Sequence, residues 1–132
     1  MNVAVGTEHG VYTIDLETEE VVGLDTEASL PPPTRVETGL PRVVAAAASG
    51  STVVAVVDRR PPLAVSHDGG STWREAGGGL PAGRAVAISD DDPDLVVYAG
   101  RNRLFLSRDG GRFWSALVPE LPEIEAVALR EA

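Results

Sequence analysis

Apolar residues along this chain come in short runs, each broken by glycine, proline or a group of polar residues, and no capped window of helical period interrupts them. Such runs between turn residues predict strands. In the middle of the chain they follow one order: Val43 to Ala48, Thr52 to Val57, Leu63 to Val65, then Trp73 to Ala76. Forty-one residues further on the same order returns as Arg84 to Ser89, Leu95 to Ala99, Leu104 to Leu106 and Phe113 to Val118. Each unit reads as four antiparallel strands.

The N-terminal third is a more diverged copy. Asn2 to Gly6, Val11 to Asp15 and Val21 to Asp25 match the second, third and fourth strands, with Asp15 to Glu20 as the last turn. Nothing ahead of Asn2 matches a first strand, whereas Ile124 to Leu129 is a lone strand after the last unit. Four strands in a repeat of this length have the size of a propeller blade. The expected fold is therefore all-β and a single domain over 1–132, with three blades per chain, at about 1–30, 40–80 and 81–120. An open strand edge exposes backbone N–H and C=O groups that invite pairing with another chain. Three blades are too few to close a ring, so the spare strand 124–129 is expected to be exchanged in a head-to-tail homodimer, giving six blades. A fragment of a longer propeller, or pairing with a different chain, would also account for the count.

Within the two clear units one motif recurs: Ser66-His67-Asp68-Gly69-Gly70-Ser71-Thr72-Trp73 and Ser107-Arg108-Asp109-Gly110-Gly111-Arg112-Phe113-Trp114. Asp68 and Asp109 stand where a carboxylate can accept hydrogen bonds from turn N–H groups, and Gly70 and Gly111 allow backbone angles closed to other residues. Ser66 and Ser107 add a hydroxyl to the turn, and Trp73 and Trp114 a large apolar anchor. These are structural roles rather than catalytic ones.

The motif resembles the Asp-box, or bacterial neuraminidase repeat, of sialidase-like and sortilin-like β-propellers. The first copy fits every position, whereas in the second Phe113 stands where the repeat usually has Thr. The first unit lacks the box. The resemblance implies that the boxes lie on the turns between third and fourth strands, away from the ligand face. It implies a functional face built from the turns between second and third strands and from the inter-blade connections.

Composition narrows the partners. The 132 residues are 43% apolar, enough for a packed core, and carry a net charge of -9. An acidic chain with no basic stripe is not built to neutralise phosphate backbones, so nucleic acid is not an expected partner. No run is long enough to span a membrane. Cysteine is absent, which removes disulfides and thiolate metal sites, and with no leader-like N-terminus a cytoplasmic location is the default expectation. Lysine is absent too; the acidic surface fits adaptation to high salt, and the arginine bias fits GC-rich coding equally well.

On the expected functional face the candidate ligand-binding residues are Arg59, Arg60, Arg101, Arg103 and His9, with Arg35, Arg42 and Arg84 on the connections. Guanidinium forks suit carboxylate and phosphate, which points to a small anionic ligand or a protein partner. Local ion pairing with Glu8, Glu37, Asp58 and Glu120 is the competing use. No cofactor or metal is expected: His9 and His67 are not spaced as a metal pair, and Asp90 to Asp94 lacks the Gly and Glu of a calcium loop. The function expected is a non-catalytic binding or scaffolding module. The alternative is an Asp-box glycoside hydrolase, sialidase-like or glucanase-like. A sialidase-like site would need a tyrosine beside an acid, yet Tyr12 and Tyr98 fall within expected strands, and a two-carboxylate mechanism would need a pair drawn from the four acids above. The connection Thr26 to Leu40, with Pro31-Pro32-Pro33, is expected to be stiff and exposed.

Overall fold

Each of the apolar runs becomes a strand in the computed structural model, which describes residues 1–131. In chain order they are β1 (Asn2–Thr7), β2 (Gly10–Asp15), β3 (Glu20–Asp25), β4 (Val43–Ser49), β5 (Thr52–Val57), β6 (Leu63–Ser66), β7 (Arg74–Ala76), β8 (Ala85–Ile88), β9 (Val96–Ala99), β10 (Leu104–Ser107), β11 (Ser115–Ala116) and β12 (Ile124–Arg130). They form three antiparallel sheets of four strands, ordered β12-β1-β2-β3, β4-β5-β6-β7 and β8-β9-β10-β11. The described residues contain no helix long and apolar enough to cross a membrane.

The last strand finds its partner within the single chain. β12 lies antiparallel on β1 of its own chain, with Val3 opposite Leu129 and Val5 opposite Val127, so strand 124–129 fills the vacant first position without exchange. The order of the sheets in space brings the two ends of the chain together. Along the chain the first sheet precedes the second, but in space it packs on the third. The connection after β11 crosses the end of the third sheet, where Leu121 N–H donates to the Asn102 carbonyl at 2.8 Å and Ile124 N–H to that of Arg101 at 2.7 Å. β12 therefore emerges beside the third sheet, and the first sheet assembles on it there. Among the described residues no strand of the first sheet touches one of the second.

Two apolar layers hold this arc together. Between the first and third sheets, Val3, Val5 and Ile14 meet Val97, Leu104, Leu106 and Leu121, with Ile124 fully buried at the junction. Between the second and third, Val54, Val56, Leu63 and Val65 meet Val86, Ile88, Val96 and Tyr98. Alternation along β5 sends Val54 and Val56 toward the third sheet and Ala55 and Val57 the other way. That far side is closed by Leu40, Val43, Ala46 and Trp73. Leu40 comes from the proline-rich connection, whose Leu30 also packs near Gly6 and Ala126 on the far face of the first sheet.

Candidate functional site

The strand register separates two ends of the molecule. Leu63 pairs with both Val56 and Ala76, and Ala99 with both Ala85 and Leu104, so the turns after β5 and β9 and the connections into β8 share one end. Thr7 pairs with Ile124 and Gly10, which adds the β1–β2 turn and the start of β12 to that end. The two Ser-x-Asp-Gly-Gly turns lie at the other end, as expected from their resemblance.

At that second end, the Asp68 carboxylate accepts hydrogen bonds from the Ser66 hydroxyl at 2.7 Å, the Thr72 N–H at 2.8 Å and the Thr72 hydroxyl at 2.6 Å. The Ser66 oxygen in turn accepts from Gly70 N–H at 2.8 Å. The second turn repeats this with Ser107 on Asp109 at 2.8 Å, Phe113 N–H on Asp109 at 3.0 Å and Gly111 N–H on Ser107 at 2.9 Å. Gly70 and Gly111 have φ of 96° and 91°, in the left-handed region. Both carboxyls are held below the usual range, Asp68 first by the Thr72 hydroxyl and Asp109 first by the Phe113 N–H. Phe113 has no hydroxyl to offer, so Asp109 lacks the side-chain bond that Thr72 makes. Trp114 donates to the Gly111 carbonyl at 2.9 Å and stacks edge-on against Tyr98. Arg74, just after the first turn, donates to the Gly110 carbonyl at 3.0 Å and ties the two turns together. These groups are occupied with holding hairpins. His67 lies 3.4 Å from the Thr52 hydroxyl, and Asp92 and Asp94 sit in a turn organised by Ser89 and Asp92. Among the described residues no three His, Asp or Glu converge on one point.

At the first end the arginines divide into two groups. Arg103 pairs with Glu120 at 3.1 Å, Arg84 with Glu123 at 2.7 Å, and Arg101 reaches the same Glu123 oxygen at 3.8 Å. Arg35 pairs with Glu37 and His9 approaches Glu8. Arg59 and Arg60 are exposed and have no carboxylate partner among the described residues. They line a groove of about 180 Å³ with Asp58, Pro62 and Ala82. Beyond Ala82 lies a second groove of about 400 Å³, lined by Arg101, Arg103, Phe105 and Glu120. The structure thus brings Arg59, Arg60, Arg101 and Arg103 around two adjoining grooves and leaves His9 outside both.

The four acids considered for hydrolysis do not meet. Asp58 belongs to one groove and Glu120 to the other, Glu37 lines the hollow of the proline-rich connection, and Glu8 lines none of these. Sequence reasoning missed Glu123, which holds two arginines, and Tyr98, whose hydroxyl donates to the Pro81 carbonyl at 2.6 Å and fixes the ridge between the grooves. Both join segments distant in sequence, and no local spacing signals them.

No family model matches the chain, and no curated protein matches it. Among solved structures it is similar to YCF48 bound to D1 peptide, with a TM-score of 0.51 and 19% identity over 91% of this chain. It is also similar to the GH74 enzyme of Niastella koreensis, with a TM-score of 0.49 and 21% identity over 87% of this chain. The chain spans 37% of the length of the first of these and 17% of the second. Both are β-propeller-type folds, and the likeness to the first identifies the three sheets as blades of that fold.

Proposed function

We propose that this chain is a non-catalytic, propeller-type module that binds a carboxylate-rich segment of a protein partner, or a small anion of the same chemistry, at Arg59, Arg60, Arg101 and Arg103. The observation that carries the reading is the pair Arg59 and Arg60, left without carboxylate partners among the described residues beside a groove in a protein of net charge -9. In an acidic molecule, unneutralised guanidinium groups would be satisfied by an incoming anion. Arg101 adds to them, since the Glu123 oxygen it approaches at 3.8 Å is already engaged by Arg84 at 2.7 Å. YCF48, similar in fold, was solved with a bound peptide, which favours a protein segment as the partner class. The rival, an Asp-box glycoside hydrolase, needs two carboxylates at one groove, and Asp58 and Glu120 line separate ones. The proposal is made of a single chain, in which β12 occupies the first position of the first sheet.

Calorimetric titration with a ten-residue glutamate-rich peptide, and separately with inorganic phosphate, tests it. The Arg59→Ala/Arg60→Ala double variant should bind the peptide at least about tenfold more weakly, and higher salt should weaken the parent in the same direction. Equal binding by parent and variant would sink the assignment.

A further inference from the structure

The outer edge of the first sheet differs from those of its two neighbours. In the second and third sheets the outermost strands are three and two residues long, because the Ser-x-Asp-Gly-Gly turn before each consumes the chain that would prolong the hairpin. The first sheet has no such turn. Its last hairpin closes tightly, with Glu19 N–H on the Asp15 carbonyl at 2.7 Å and Glu19 at φ 59°, so β3 runs for six residues, five of them paired with β2, and all six are exposed. Among the described residues no strand lies beyond β3 in its sheet. Val21 and Leu24 stand opposite Ile14 and Tyr12, and a bulge leaves Val22 without an opposite on β2 and 56% exposed.

A long, apolar, exposed edge is a template for strand addition, which proteins usually blunt by shortening it or placing lysine on it. Here the charge at both ends is negative. Glu17, Glu19 and Glu20 stand at one end and Asp25 and Glu27 at the other, none of them in an ion pair among the described residues. Residues 2–25 and 124–130 together hold seven of the twenty carboxylates but one of the eleven arginines, Arg130.

We propose that the free edge of β3 is a docking site for an extended segment of a partner protein, apolar at alternate positions and carrying Lys or Arg at both ends, which adds as a fifth strand. Backbone N–H and C=O groups of β3 supply the ladder, Val21 and Leu24 supply apolar cross-strand contacts, and the flanking carboxylates select the charge. A second copy of this chain is the wrong occupant, since β3 against β3 would bring two acidic rims together. The surface is separate from the arginine-bearing grooves and of opposite charge.

The test uses the full chain, isotopically labelled, and a peptide of alternating Val and Thr with two lysines at each end. Two controls are a peptide with Glu in place of each Lys, and one with the same charge but proline at the central Val, which cannot extend a ladder. Slowed amide exchange confined to residues 20–25 is the expected result, with binding weakened at least about tenfold for either control and for the Glu19→Lys/Glu20→Lys variant of the chain. Equal binding of the proline peptide would mean attraction by charge alone and would overturn the proposal. So would protection mapping outside β3, or self-association of the parent chain through β3 in the absence of peptide.

Discussion

Replacing Ile124 by alanine tests whether the last strand closes the first sheet within one molecule. Ile124 opens β12 opposite Thr7, its N–H is bonded to the Arg101 carbonyl, and its side chain is fully buried where the first and third sheets meet. Truncating a buried Ile costs about 2–5 kcal/mol, more where the surroundings cannot collapse into the space. Around Ile124 the backbone is held on both sides, by the β1 ladder and by the Arg101 carbonyl, so a loss of about 3–4 kcal/mol is expected. Domains are stable by about 5–15 kcal/mol in all, and at about 4 °C per kcal/mol this loss lowers Tm by about 12–16 °C. Urea unfolding followed by far-UV circular dichroism, at about 1 and about 50 µM protein, gives both the loss and its concentration dependence. The same midpoint at both concentrations is expected, because donor and acceptor strands share one chain. Val118→Ala, at a site 78% exposed, serves as the control and should stay within about 0.5 kcal/mol of the parent. A loss below about 1 kcal/mol for Ile124→Ala, or a parent midpoint that falls on dilution, would refute closure in cis.

Two further outcomes concern the turns and the ridge. The Asp68 carboxyl is held below its unfolded value of 3.8, so it contributes stability that is present above that pH and lost as pH falls toward its folded value. Removing the principal cause by Thr72→Val should move the acid unfolding limb to higher pH, while Phe113→Thr should move it lower by giving Asp109 the missing bond; acid titrations followed by dichroism read both. The Tyr98 phenol is pushed up to about 12 by burial, so the fold loses stability as pH rises through 10 to 12, where the unfolded phenol ionises and the buried one keeps its proton. Tyr98→Phe should flatten that alkaline limb and, by removing the bond to Pro81, cost about 0.5–1.5 kcal/mol at neutral pH.

Legibility in the sequence followed locality. The strand runs could be read because alternation and turn residues act within a few positions, and the observed bounds differ little from the expected ones. The largest difference is β11, which covers Ser115–Ala116 where Phe113 to Val118 was expected. There the Asp109 carboxylate takes the Phe113 N–H, so the turn extends into what read as strand. The geometry of Asp68 and Asp109 was legible for the same reason, every partner lying within four residues. The arginines were legible as a group at one end but not in their pairing. Arg84 finds Glu123 thirty-nine residues away, whereas nothing near in sequence marks Arg59 and Arg60, or Arg42 beside them, as left without a carboxylate among the described residues.

By itself, then, the sequence determined the number and kind of strands, the two Ser-x-Asp-Gly-Gly turns, and the surplus strand at one end with its vacancy at the other. Which strand fills that vacancy was decided only in three dimensions. Backbone edges are chemically alike, so a strand count cannot distinguish a neighbour in the same chain from one in another. The choice falls to burial of Val3, Val5, Ile14 and Ile124 against the third sheet, which brings β1 alongside β12.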